Sequence, residues 1–180
     1  MKAAAFLDRD GVLNSSIILE GVPCPPRSIS EVEILPGVRS AVELLIHNDY
    51  LPIVITNQPD ISRGSQSISE INKINEYIGT EVGLSSFYIC PHDDEDRCLC
   101  RKPMPGLIML AKKELGIDLS KSFLVGDRWR DIQAGQAVNL PTFFIDYSYP
   151  EFQPKRPFTR VHSLLEAVYI RLGVGNEFDH

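Results

Sequence analysis

The sequence predicts a doubly wound parallel α/β sheet, and three observations lead there. Short apolar runs rich in Val, Ile and Phe recur along the chain; helix-start signals follow most of them; and polar motifs gather where the runs end. The first run, residues 3–7, ends at Asp8. Residues 15–35 break the alternation, and Gly21, Pro23, Pro25 and Pro26 mark them as an ordered but irregular excursion. Pro36 and Gly37 then open a helix over 38–48, followed by a strand at 52–55. Ser67 and Glu70 form a capping box for a helix to residue 82, and 87–89 reads as the third strand. After a cysteine-rich loop at 90–103, Pro105 and Gly106 open a helix over 107–115. A strand at 123–125, a short helix at 133–138 and a strand at 142–145 come next. Ser163 and Glu166 cap a last helix running to residue 172, beyond which Gly173 and Gly175 loosen the chain.

Length and composition bound this reading. With 180 residues and 43% hydrophobic content, the chain suits one core, hence one domain over 1–180 with substrate-reading loops at about 15–35, 58–66 and 90–103. Eighteen basic against 24 acidic side chains give a net charge of −6, which argues against nucleic acid as a general partner. No apolar run approaches the roughly 18 residues of a membrane span, and the first is cut by Asp8. A soluble, cytoplasmic monomer acting on a small molecule is the expectation.

The chemistry-bearing residues fall at strand ends, where parallel sheets collect ligands. FLDRDGVLN places Asp8 and Asp10 one residue apart, so an extended backbone points both carboxylates into one cleft. VITNQ adds the hydroxyl of Thr56 and the amide of Asn57 as candidate phosphate-oxygen donors. Arg101 and Lys102 follow the third strand, and VGDRWRD supplies Asp127 with Asp131 close behind. Carboxylates, a hydroxyl and a lysine from four strand ends suit attack of a carboxylate on a phosphate ester. The mutual repulsion of these anions needs cancelling, which Lys102 and a magnesium ion on Asp8, the Asp10 carbonyl and Asp127 would do. Asp8 is then the nucleophile, and Asp10 the acid and later the base. Taken singly, each of these residues has an ordinary reading, such as solvated turn, helix cap or surface charge.

Cys90, His92, Cys98 and Cys100 form a Cys3His set suited to tetrahedral zinc, and four ligands leave no open position. A structural zinc is expected, closing a loop with few apolar residues and fixing Arg101 and Lys102 beyond it. Cys24, His47, His162 and His180 lack such company and read as ordinary residues.

Together FLDRDGVLN, VITNQ, CRKP and VGDRWRD resemble the haloacid dehalogenase superfamily of phosphatases, from residue 3 to about 138. CPHDDEDRCLCRKP resembles its zinc-containing branch, which holds the heptose bisphosphate and the histidinol-phosphate phosphatases. The resemblance implies a Rossmann-like sheet without a large cap domain. It further implies Asp8 as nucleophile, Asp10 as acid and base, Thr56 and Lys102 on the phosphate, Asp127 on magnesium, and Asp131 at or bracing that site. Arg63-Gly64, following NQPDI, is similar to a loop of the heptose enzymes, but Asp60 stands where their pattern has glycine. A phosphorylated sugar is therefore the first expectation and histidinol phosphate the alternative; a zinc-organised binding module is a third reading. Arg63, Arg101, Arg128 and Arg130 exceed what one phosphate requires and are candidates for holding a second.

Overall fold

In the computed structural model, which describes residues 1–174, the apolar runs become the parallel strands of one six-stranded sheet. Gly175 and His180 lie outside the described residues. The elements are β1 (Ala3–Leu7), a hairpin of β2 (Ile17–Leu19) and β3 (Val22–Cys24), α1 (Val38–His47) and β4 (Tyr50–Asn57). Then follow α2 (Ile68–Val82), β5 (Phe87–Cys90), α3 (Gly106–Leu115), β6 (Phe123–Gly126) and α4 (Trp129–Gln136). The chain continues through β7 (Thr142–Ile145), β8 (Thr159–Val161) and α5 (Leu164–Leu172). In the sheet the strands run β5-β4-β1-β6-β7-β8, so the chain builds outward from β1 in one direction and then in the other. The order reverses between β1 and β6, and the crevice beyond their carboxyl ends is where such sheets bind ligands.

β1 is buried on both faces, as a central parallel strand should be, and its side chains alternate between two cores. Ala5 and Leu7 face α1, α2 and α5 through residues such as Val42, Ile78 and Val168. Ala4 and Phe6 face α3 and α4 through Leu107, Ile108, Ala111 and Ala134. The Ser67–Glu70 capping box closes as expected. At α5 the Ser163 hydroxyl accepts the Glu166 N–H, while the Glu166 carboxylate accepts from His162 N–H instead of completing a box. Among the described residues no helix is long and apolar enough to cross a membrane.

Three expectations need correction. The 15–35 excursion holds the β2–β3 hairpin, turning on Glu20 and Gly21, both at positive φ as a tight two-residue hairpin turn demands. Its prolines are tolerated because a two-stranded ribbon is all edge. β8 was not anticipated, because two of its three residues are exposed and it carries no apolar run. α4 begins at Trp129, not 133, because the Asp131 carboxylate accepts the Arg128 N–H and caps a polar first turn.

Candidate active site

Asp8 follows β1, its N–H still bonded to the Val125 carbonyl of β6, so the β1–β6 pairing fixes where its carboxylate starts. Asp127 follows β6 directly. Gly11 explains how closely the two loops meet: its φ is +85°, and a Cβ there would lie 2.1 Å from Asp127 Oδ2. Gly126 serves the same purpose on the other side, where a Cβ would fall 2.2 Å from that of Asp131. Lys102 is buried among these groups. Its ammonium donates to Asp8 Oδ1 at 2.8 Å, Asp131 Oδ1 at 2.6 Å and the Ile55 carbonyl at 2.7 Å.

Burial raises the cost of every charge here. It pushes the Asp8 carboxyl up to about 7, with Asp131 adding to the shift and Lys102 opposing it. Asp127 is driven well above the ordinary carboxylate range, first by burial and then by Asp8 and Asp131. Burial disfavours the Lys102 ammonium too, yet Asp131 and Asp8 outweigh it and hold the charge firmly. Three carboxylates against one ammonium leave two negative charges, the complement of one divalent cation.

The two later aspartates behave differently. Asp131 has both oxygens engaged, one by Lys102 and one by the Arg128 N–H, so it braces the lysine and caps α4. Both Asp127 oxygens are buried and without a hydrogen-bond partner among the described residues. A buried carboxylate is rarely left so, and hard oxygen donors beside Asp8 suit magnesium. One oxygen from each of Asp8, Asp127 and Asp131 lies within 4.8 Å of the others.

Thr56 is buried at the end of β4, and its hydroxyl accepts from the Gln58 amide at 2.9 Å. Asn57 does not present its amide as a free phosphate donor. Its Oδ1 accepts the Lys102 N–H and its Nδ2 donates to the Lys102 carbonyl, both at 3.0 Å, so it clamps the lysine's main chain. Asp10 is held by Arg9, Asn14 and Gln58, none of which the motif reading singled out. The signal was available in DRD, where an arginine sits between two acids, but its burial was not.

A cavity of about 240 Å³ opens above Asp8 and Asp10, roofed by Val22, Pro23 and Cys24 of the hairpin and rimmed by arginines. Cys24, read as an ordinary thiol, thus lines the cavity. His47 and His162 are exposed, as expected. All four arginines border the cavity, but none is unpaired: Arg63 meets Asp93 at 2.6 Å, Arg101 meets Asp94 at 2.8 Å, Arg130 meets Asp94 at 3.0 Å, and Arg128 meets Glu151. The surplus of free positive charge suggested by sequence is therefore already matched. Asp60 keeps an ordinary backbone conformation, so no glycine is demanded there.

At one side of the site, Cys90, His92, Cys98 and Cys100 converge. Their sulfurs lie 3.3 to 3.7 Å apart, and His92 Nδ1 is 3.3 Å from the Cys100 sulfur. Ligands about 2.3 Å from a tetrahedral zinc would be about 3.8 Å apart, so the set fits that ion after slight expansion. Burial pushes the Cys90 and Cys100 thiols up. For Cys98 burial acts the same way but is outweighed by the Arg101 N–H and the neighbouring thiols, which bring it down to about 7.

The HAD-hydrolase-like family model matches residues 99–148. The chain is 36% identical over 151 residues to D-glycero-beta-D-manno-heptose-1,7-bisphosphate 7-phosphatase of Pasteurella multocida, covering 78% of this chain and 79% of that protein. The enzyme of the same name from Helicobacter pylori is 38% identical over 141 residues, 73% of this chain and 76% of its own length. Among solved structures, the D,D-heptose 1,7-bisphosphate phosphatase of B. bronchiseptica, complexed with magnesium and phosphate, superposes with a TM-score of 0.83 at 25% identity, covering 97% of this chain and all of that one.

Proposed function

The chain belongs to the family of the D-glycero-beta-D-manno-heptose-1,7-bisphosphate 7-phosphatases, HAD-type phosphoric monoester hydrolases, and from that premise we propose that it removes the 7-phosphate of this sugar through an aspartyl-phosphate on Asp8. The observation that carries the reading is the convergence of Asp8, Lys102 and the partnerless Asp127 in one buried centre below the cavity. Histidinol phosphate becomes the weaker alternative, since the relatives above share the heptose name. The complete carboxylate and lysine set likewise speaks against a mere binding module.

Asp8 attacks phosphorus as the bond to the leaving alkoxide breaks, and Asp10 supplies the alkoxide's proton. Asp10 then takes a proton from a water that attacks the phosphoaspartate, releasing inorganic phosphate and restoring Asp8. Lys102 and the Thr56 hydroxyl bind the transferring phosphoryl oxygens, and Asn57 holds Lys102 in register for that task. Asp8, Asp127 and the Asp10 carbonyl are the groups that would hold magnesium. When bound, magnesium neutralises the remaining charge and polarises the phosphoryl group. Cys90, His92, Cys98 and Cys100 would hold a zinc ion that closes the neighbouring loop without taking part in the chemistry.

Arg63, Arg101, Arg128 and Arg130 grip the phosphate that stays on the sugar by exchanging their carboxylate partners for it, a substitution that forked guanidinium groups can make. A phosphate-release screen tests the whole: both heptose bisphosphate anomers, histidinol phosphate and monophosphorylated sugars are compared with added magnesium. The heptose 1,7-bisphosphate should give the highest kcat/KM. Faster turnover of histidinol phosphate would reject the substrate assignment.

A further inference from the structure

The bulkiest fully buried side chain among the described residues is a charged one, Arg9, at 0% exposure. It stands between the two aspartates of the first motif, and the chemistry above makes no use of it. Its Nη1 donates to Asn75 Oδ1 at 2.9 Å, on α2. Its Nε lies 3.1 and 3.2 Å from the two Asp10 oxygens, and its Nη2 donates to Asp10 Oδ2 at 2.9 Å. Asn14 adds a bond to Asp10 Oδ1 at 3.0 Å, and Gln58 one to Oδ2 at 2.9 Å while also reaching Thr56.

A buried ion pair is seldom the cheapest way to stabilise a core, since an apolar side chain of similar size avoids the desolvation. Asn75 is as costly a choice. It interrupts the buried face of α2 formed by Ile71, Ile74 and Ile78, and its Nδ2 has no partner among the described residues. What the arrangement does achieve is orientation. An aspartate can rotate about two side-chain bonds, and here three side chains fix both of its oxygens while it still lines the cavity.

We infer that Arg9, anchored by Asn75 and assisted by Gln58, is a positioning residue that aims the Asp10 carboxylate at the leaving oxygen. The inference rests on the reading of Asp10 as proton donor. It links the body of α2 to the proton-transfer step, so that geometry set by the helix reaches the reacting bond.

Leaving groups separate this role from a structural one. The sugar alkoxide needs a proton as it departs, whereas p-nitrophenolate is stable without one, and kcat/KM reports only the steps up to that departure. Asp10→Asn, Arg9→Lys and Asn75→Leu are each assayed with the heptose bisphosphate and with p-nitrophenyl phosphate, and folded fraction is measured by thermal melting. Asn75→Leu keeps the branched shape of the side chain and removes the Oδ1 acceptor of Arg9 Nη1 together with the orphaned amide nitrogen, so it decides the matter should Arg9→Lys not fold. The expected result is a kcat/KM loss on the sugar phosphate roughly 10- to 100-fold greater than on the aryl ester for both positioning variants, in the same direction as Asp10→Asn. If Asp10→Asn shows no such split, the reading of Asp10 falls and the inference with it. If Asp10→Asn splits the two substrates while Arg9→Lys and Asn75→Leu scale both alike, Arg9 is only structural and the inference alone is overturned.

Discussion

Two candidate metal centres lie side by side in this protein and are built on opposite principles. The carboxylate centre draws Asp8 from β1, Lys102 from the loop after β5, and Asp127 and Asp131 from the β6–α4 junction, so it exists only because the sheet brings distant segments together. The cysteine–histidine cluster draws its donors from one short stretch of chain, Cys90 at the end of β5 and His92, Cys98 and Cys100 in the loop that follows. Its thiols and imidazole also satisfy one another, whereas both oxygens of Asp127 have no partner. The contrast teaches that one site is held by the fold and stores electrostatic strain, while the other is drawn from one short stretch of chain whose donors partner one another.

That contrast breaks most visibly at Asp8, the proposed nucleophile. Asp8→Asn changes charge but hardly volume, so the fold should survive while phosphate release falls by roughly 10³-fold or more. A purified variant that retained wild-type turnover, contamination excluded, would end the assignment.

Removing one zinc ligand should act in the reverse order. Cys98→Ser is expected to take tightly bound zinc from about one ion per chain to near none and to lower the Tm by several degrees, given about 2–4 °C per kcal/mol at this size. Added magnesium should restore neither, because thiolates select zinc and oxygen donors select magnesium. Metal analysis of folded, active protein showing no zinc would sink this half of the comparison.

The stored strain has a pH signature. Asp8 and Asp127 both carry folded-state pKa values raised above the unfolded value near 3.8, Asp8 to about 7. The Asp8 contribution to stability is therefore complete below about pH 4 and is lost as pH rises through about 7, and Asp127 acts in the same direction. Without magnesium, Asp127→Asn should melt higher than the wild type at pH 8, by a few degrees, and this advantage should shrink toward pH 5. Magnesium should raise the wild-type Tm more at pH 8 than at pH 6. A melting series in which Asp127→Asn is the less stable protein at pH 8 would show that Asp127 is not strained.

The smallest effect is expected at the rim, where charges are exposed and already paired. Arg130 meets Asp94, which is 55% exposed, so Arg130→Ala should cost less than about 10-fold in kcat/KM. The loss should fall on the bisphosphate more than on its monophosphorylated counterpart. Equal losses on both substrates would remove Arg130 from the second phosphate.

The convergence of Cys90, His92, Cys98 and Cys100 was legible from spacing, because the four donors are close along the chain and need little from the rest of the fold. The strands at 3–7 and 142–145 were readable to the residue, because buried parallel strands are nearly all apolar, Thr142 being the one polar residue in these two. β8 and the hairpin were not, since their residues face solvent and carry little burial pattern. Asn57 shows where motif reading stops. Its type fits a phosphate donor, but its amide is committed to the main chain of a residue 45 positions away.

By itself, then, the sequence determined the fold class, the chemical types at the strand ends and the clustering of three cysteines with His92, because hydrophobic period, capping and local spacing are properties of neighbouring residues. Only the tertiary structure decided that Asp131 braces Lys102 while Asp127 is left without partners, that the rim arginines are already paired, and that Arg9 is buried against Asp10 and Asn75. The physical reason is common to all three. Hydrogen bonding, burial and charge compensation depend on which distant groups share a low-dielectric space, and that is set when the strands pair and the helices close over them.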